Sequence, residues 1–216
     1  MTDAEFAADR IVHVIGLAVG LPAALVIATL AIAGAVEEGA LGQAIPAILY
    51  AVGLVAMLSC SAAYNLARAS RYRDWLRRFD HAAIFVMIAG SYTPFTVRLG
   101  PDWSEGLTAA IWAVAALGVA VKLCRPLGRA KSLTALSTLL YLALGWIGVV
   151  AVGPFTAHLP THTLLLLALG GAIYTTGVIF HHWQRLRYQN AIWHGFVLVA
   201  ASVHYGAVLT VIDAPV

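Results

Sequence analysis

The chain has 216 residues, 61% of them apolar and only 11% charged, with a mean hydropathy of +0.85. So little charge cannot clothe a soluble globule, and the composition excludes a water-soluble enzyme or a soluble domain beside a membrane anchor. The net charge of +3 and pI near 9.0 come from basic residues dispersed over short connections, where membrane orientation and anionic lipid account for them, so no nucleic-acid partner is expected.

Seven apolar stretches follow in chain order, at 11–33, 44–66, 80–98, 107–124, 132–152, 162–182 and 191–212, each 18 to 23 residues long. At about 1.5 Å per residue, each covers a hydrocarbon core of about 30 Å. The expectation is an all-α integral membrane protein, one seven-transmembrane-helix bundle over residues 1–216. The first stretch follows an acidic N-terminus (Asp3, Glu5, Asp9) and is too long for the apolar core of a signal peptide, so it is expected to stay in the mature protein. Twelve of the thirteen Lys and Arg residues fall on alternate connections. These are Arg10 before the first span, Arg68, Arg71, Arg73, Arg77 and Arg78 in the second connection, Lys122, Arg125, Arg129 and Lys131 around the fourth, and Arg185 and Arg187 in the sixth. Arg98 alone lies on the other side. The positive-inside rule then predicts a cytoplasmic N-terminus, an outer C-terminus and a multi-pass protein of the cell membrane, the bacterial inner membrane.

Pro101, Pro126, Pro154 and Pro160 fall in connections, whereas Pro22, Pro46 and Pro94 lie in or near spans and are placed to kink them. Tyr72, Trp75, Trp103, Trp183, Tyr188 and Trp193 near span ends read as interfacial anchors. Cys60 and Cys124, both inside spans, read as small buried residues and not as a disulfide. No inverted repeat of the kind that marks many transporters is visible.

The informative residues are the polar ones inside spans, since each is costly in lipid unless it meets a partner or a cavity. Glu5, Asp9 and His13 are spaced four apart and share a helical face, as do Ser61 and Asn65 at the end of the second span and Asn190 and His194 at the start of the last. Asp80-His81 opens the third span, and His204 lies about 15 Å deeper along the last. Four helices thus bring polar groups to one leaflet. Taken singly, each can be an interfacial residue, and Asp80 a helix N-cap. Together, Asp and His from several helices are the material of a metal or proton-transfer site.

The stretch from Phe79-Asp80-His81 through Gly90, Tyr92, Thr93, Pro94 and Phe95 closely resembles the third span of the hemolysin III family, the bacterial branch of the progestin and adipoQ receptors. Gly170-Gly171, Tyr174, Gly177 and Phe180, then Trp193-His194 and His204, resemble its last two spans, and Glu5, Asp9 and His13 its N-terminal acidic–His pattern. The resemblance implies a seven-helix bundle with zinc near the cytoplasmic face. Three His would hold the ion, one in a Ser-x-x-x-His motif and two in His-x-x-x-His, with the Ser and the Asp positioning a metal-bound water. Here Asn65 and Asn190 stand at two of those ligand positions and only His194 is retained. An amide oxygen is a poor zinc ligand, so no cofactor is expected, or zinc if the site is still functional, with His13 and His81 near enough in leaflet to supply a nitrogen. The two Asn are expected to bond each other, Asp80 and His194.

Three function classes follow. The first is a membrane protein with a degenerate zinc site and a cytoplasm-facing polar cavity, acting in lipid binding, sensing or membrane homeostasis. The second is a metal-dependent hydrolase of lipid amides, with Ser61 and Asp80 as catalytic residues. The third is a pore-forming cytolysin or transporter, disfavoured by the lack of a charge ring or broken-helix repeat. Membrane lipid is the expected partner.

Overall fold

The structure, a computed structural model, describes residues 2–124 and 134–212. Arg125, Pro126, Arg129 and Lys131 of the fourth connection, and Ser132 and Leu133 at the head of the fifth expected span, lie outside the described residues. The elements are α1 (Asp3–Glu37), a 3-10 turn (Leu41–Ala44), α2 (Ile45–Leu66), α3 (Arg73–Thr96), α4 (Pro101–Cys124) and α5 (Thr134–Gly145). A second 3-10 segment (Ile147–Ala151), α6 (Val152–His158), α7 (Thr161–His182) and α8 (Gln189–Ile212) complete them. Among the described residues there is no strand.

Consecutive helices pack side by side, α1 on α2, α2 on α3, α3 on α4 and α7 on α8, and α1 also closes onto α8. The sequence reads inside out compared with a soluble bundle. On α1 the buried positions are Asp9, His13, Gly16, Ala24, Ile27, Ala31 and Ala35, a seam of mostly small or polar residues at helical spacing. Ile11, Val14, Ile15, Val19, Leu25, Val26 and Leu30 of the same helix point outward and are exposed. With no hydrophobic drive between helices in lipid, close backbone approach through small residues holds such a bundle, and large apolar groups face the acyl chains.

Among the described residues, six helical segments are long and apolar enough to cross a membrane: Asp3–Glu37, Leu41–Leu66, Pro101–Cys124, Leu136–His158, Thr161–His182 and Gln189–Ile212. This is a multi-pass membrane protein. The remaining expected span, 80–98, falls on α3 up to its end at Thr96; α3 has 24 residues but carries Arg73, Asp74, Arg77, Arg78 and Asp80 in its first turns. Helix α3 is walled by α2, α4, α5 and α8, and Phe85, Met87 and Ala89 on it are buried. A helix surrounded by protein does not need a lipid-facing apolar surface, which explains its lower hydropathy.

Three local features differ from the sequence expectation. Helix α3 begins at Arg73 with Tyr72 as its N-cap, so Asp80 sits about two turns inside the helix and does not cap it. The fifth span is broken, because Gly145, Gly148 and the Gly153-Pro154 pair interrupt an otherwise apolar run. Tyr92 of α3 attends the break: its hydroxyl donates to the Gly145 carbonyl at 2.5 Å and accepts from the Gly148 N–H at 3.2 Å. Cys124 is exposed, not buried, while Cys60 is partly buried.

The lone basic residue opposite the others has a structural task. Arg98 donates to the Pro94 carbonyl at 3.1 Å and to the Val211 carbonyl, serving the C-terminal ends of both α3 and α8.

Candidate functional site

Helix α1 starts with a capping box: Thr2 N–H donates to Glu5 at 2.6 Å and Glu5 N–H donates to the Thr2 hydroxyl at 3.3 Å. Glu5 also accepts from the Tyr188 N–H at 3.4 Å, at a residue whose φ of 59° lies in the left-handed region just before α8. The start of α1 is thereby tied to the start of α8. One turn on, Asp9 is fully buried, at 0% exposure, and the next turn brings His13.

Asp9 and His13 meet His194 of α8. Asp9 Oδ1 accepts from His194 Nδ1 at 2.7 Å and lies 3.6 Å from His13 Nδ1. The two imidazole rings are edge to face with centroids 4.3 Å apart. His13 Nδ1 lies 2.8 Å from the Asp9 backbone carbonyl. That oxygen can only accept, so Nδ1 carries the hydrogen and Nε2 the lone pair, which meets the Ser61 hydroxyl at 3.2 Å. One donor atom from each of Asp9, His13 and His194 lies within 4.8 Å of the others, a group able to hold a metal ion. The second carboxylate oxygen of Asp9 has no hydrogen-bond partner.

Ser61 is the hub on the α2 side. Besides meeting His13, its side chain lies near Asp80 of α3, and Asn65 one turn along donates to its carbonyl at 3.0 Å and its hydroxyl at 3.4 Å. Asn65 therefore turns back onto its own helix, and His194 pairs with Asp9. The expectation that Asn65, Asn190, Asp80 and His194 bond one another is corrected on those two points.

Ser61, Asn65, Asp80, Asn190 and His194 all line one cavity of about 890 Å³, and His13, His81 and His181 line it too. His81 lies apart from the metal-capable group: its carbonyl accepts from the Tyr141 hydroxyl at 2.9 Å. Trp193, expected as an interfacial anchor, lines the cavity instead and packs on His181 at 4.9 Å. The cavity continues past apolar residues such as Leu142, Val149, Leu164 and Val178 to His204, whose Nε2 lies 3.3 Å from the Leu167 carbonyl. The arrangement has one polar end and a long apolar body.

The sequence profile of haemolysin-III-related proteins matches residues 8–205. The chain belongs to that family. It is 33% identical over 208 residues to a hemolysin-3 homolog of Bacillus subtilis, covering 95% of this chain and 93% of the relative. It is 32% identical over 208 residues to hemolysin-3 of Bacillus cereus, covering 95% and 90%. It is also 31% identical over 176 residues to the human monocyte to macrophage differentiation factor, covering 77% and 70%. In this haemolysin III relative, the residues that sequence reasoning underweighted are Asp9 and His13. Their spacing put them on one face of α1, but only the closure of α1 onto α8 brings them to His194.

Whether the site suits a metal turns on its donors. The pattern positions 65 and 190 offer amides, which do not suit zinc. The Asp9–His13–His194 group offers two imidazoles and a carboxylate with a buried oxygen lacking a partner, a set of the type zinc uses. Asp9, His13 and His194 are the residues that would hold such an ion, and it would supply fixed positive charge at the polar end of the cavity.

Proposed function

We propose that this haemolysin III relative binds a membrane lipid in its cavity, polar group toward Ser61, Asp80 and His194 and acyl chain along the apolar body, and acts in lipid sensing or membrane homeostasis. The observation that carries this reading is the cavity itself: about 890 Å³, with charged groups gathered at one end and a mainly apolar lining, broken by Ser91, Thr156 and His204, along the rest. That volume lies within the range of small-molecule sites, roughly 300–1,000 Å³. A lipid with a photoactivatable acyl chain is the test. Crosslinks to Leu164, Leu142 or Tyr174, suppressed by Leu164→Trp, support it, and crosslinks confined to outward residues such as Ile11 and Val19 overturn it.

In this reading α3 is the seventh span, residues 1–216 form one bundle, and the membrane is the bacterial inner membrane. The polar mouth faces the cytoplasm, with the N-terminus inside and the C-terminus outside. The basic connections support that orientation. A C-terminal alkaline phosphatase fusion is expected to be active, and an inactive one paired with a fluorescent cytoplasmic reporter refutes the orientation.

A second reading, hydrolysis of a lipid amide, is favoured by one contact, the Ser61 hydroxyl on the His13 lone pair at 3.2 Å with Asp80 at the same serine. Release of fatty acid from a ceramide by the purified protein, abolished in Ser61→Ala, distinguishes it. No release under conditions where the lipid crosslinks favours binding alone.

A further inference from the structure

We infer that this chain carries a zinc-class divalent cation on Asp9, His13 and His194, a site shifted onto α1 from the positions of Asn65 and Asn190, where the ion staples α1 to α8 at the polar mouth. The inference is independent of which lipid the cavity takes.

Three observations carry it. The first is the donor set: two imidazoles and a carboxylate, with a donor atom from each within 4.8 Å of the others. Ligands of a tetrahedral zinc with bonds of about 2.0–2.2 Å sit about 3.4 Å apart, so modest side-chain rotation closes the set. The Asp9–His194 contact of 2.7 Å is already inside that separation. The second observation is the orphan oxygen. Asp9 is fully buried, His194 satisfies only its Oδ1, and Oδ2 has no partner. A simple Asp–His ion pair leaves that desolvated oxygen uncompensated, whereas a divalent ion beside it does not. Two imidazolium rings 4.3 Å apart would repel each other, so the rings suit a shared cation better than two protons. The third is orientation. His13 gives its Nδ1–H to a backbone carbonyl, the outer bond that metal-bound histidines use to aim the opposite nitrogen.

The ligand types fix the metal class. Imidazole with a single carboxylate suits zinc and its neighbours and is poor for calcium or magnesium, which take oxygen. The three ligands come from both ends of the chain, since Asp9 and His194 are 185 residues apart, so the ion closes the helix ring on the seam where α1 packs on α8.

The experiment uses the full chain in detergent, stripped with chelator and then equilibrated with zinc chloride. Elemental analysis is expected to give one zinc per wild-type chain, and zinc is expected to raise the melting temperature by on the order of 5 °C. Asp9→Ala and His13→Ala should each weaken binding at least about tenfold, while Asn65→Ala and Asn190→Ala should keep it. Because loss of a buried ligand can also harm folding, His13→Cys is made in a Cys60→Ser, Cys124→Ser background and loaded with cobalt. A thiolate-to-cobalt charge-transfer band in that variant places residue 13 on the metal. A wild-type chain that takes no zinc, zinc binding unchanged in both α1 variants, or a folded His13→Cys chain without the band overturns the inference.

Discussion

Gly90→Ala tests the helix contact that positions the site. A Cβ at residue 90 would lie 2.7 Å from the Leu49 carbonyl oxygen, 3.3 Å from its carbon and 3.4 Å from Tyr50 Cα. All three atoms are α2 backbone, so no side chain can rotate away, and α2 must withdraw by about 0.7 Å to restore ordinary contact. A second close approach resists that movement, since a Cβ on Gly53 would lie 3.1 Å from Met87 Cα. Overpacking of this kind costs about 1–3 kcal/mol. At roughly 2–4 °C per kcal/mol for a chain of this size, the detergent-solubilised variant should melt about 2–12 °C below wild type by circular dichroism at 222 nm. Gly34→Ala in α1 is the control, because a Cβ there meets nothing within 4 Å. It should match wild type or gain up to about 1 kcal/mol from helix propensity. A Gly90→Ala chain that melts with the Gly34→Ala control would mean that α2 and α3 do not meet here, and the placing of Ser61 beside Asp80 would fall with that contact.

Three further predictions concern the cavity. Gly170→Ala puts a Cβ 2.3 Å from the His204 ring and should destabilise by about 1–3 kcal/mol, but the same change in a His204→Ala chain should be neutral or better, and additive losses in the melts would refute the contact. Tyr92→Phe removes both bonds to the break after α5 and should cost about 1–3 kcal/mol with faster hydrogen exchange at Gly148, and unchanged exchange would show that another group attends the break. Asn65→His combined with Asn190→His rebuilds the three-imidazole pattern around His194, so zinc should then survive Asp9→Ala, and loss of zinc in that triple variant would mean that positions 65 and 190 do not converge on His194.

Much of the bundle was legible because lipid imposes a coarse requirement, about twenty apolar residues per crossing, and local composition states it plainly. The polar mouth was legible for a similar reason. Residues four apart at the ends of alternate spans must share a face and a leaflet, which is why Ser61 with Asn65 and Asn190 with His194 reach one cavity. What stayed hidden depends on contacts between distant segments. Glu5, Asp9 and His13 have the same spacing, and nothing local says that Glu5 bonds the backbone of Tyr188 while Asp9 goes to full burial against His194. The broken fifth span was masked because Ile147–Ala151 is as apolar as a continuous helix, leaving only the glycines and Pro154 as a signal. Trp193 misled because a tryptophan near a span end has two homes, the interface and the wall of a polar cavity, and only packing against His181 selects one.

The link between the metal-capable group and the rest of the mouth runs through one hydrogen atom. The Ser61 hydroxyl meets the His13 lone pair, has the Asp80 carboxyl nearby as a second acceptor, and also accepts from Asn65. A hydroxyl has one hydrogen to donate, so it serves His13 or Asp80 but not both. While His13 Nε2 is otherwise unengaged, the two compete. If an ion were held by Asp9, His13 and His194, that lone pair would be occupied and the serine hydrogen would be left for Asp80. Asn65 keeps the hydroxyl oxygen in place in either case, since its amide donates to Ser61 whichever way the hydrogen points. A histidine at 65 would bring its own lone pair to the same neighbourhood as a third competitor. The asparagine therefore fits a mouth whose cation would bind on α1: it satisfies the serine, adds no charge to a desolvated cluster, and leaves Asp80 coupled to the state of His13 through a single side chain.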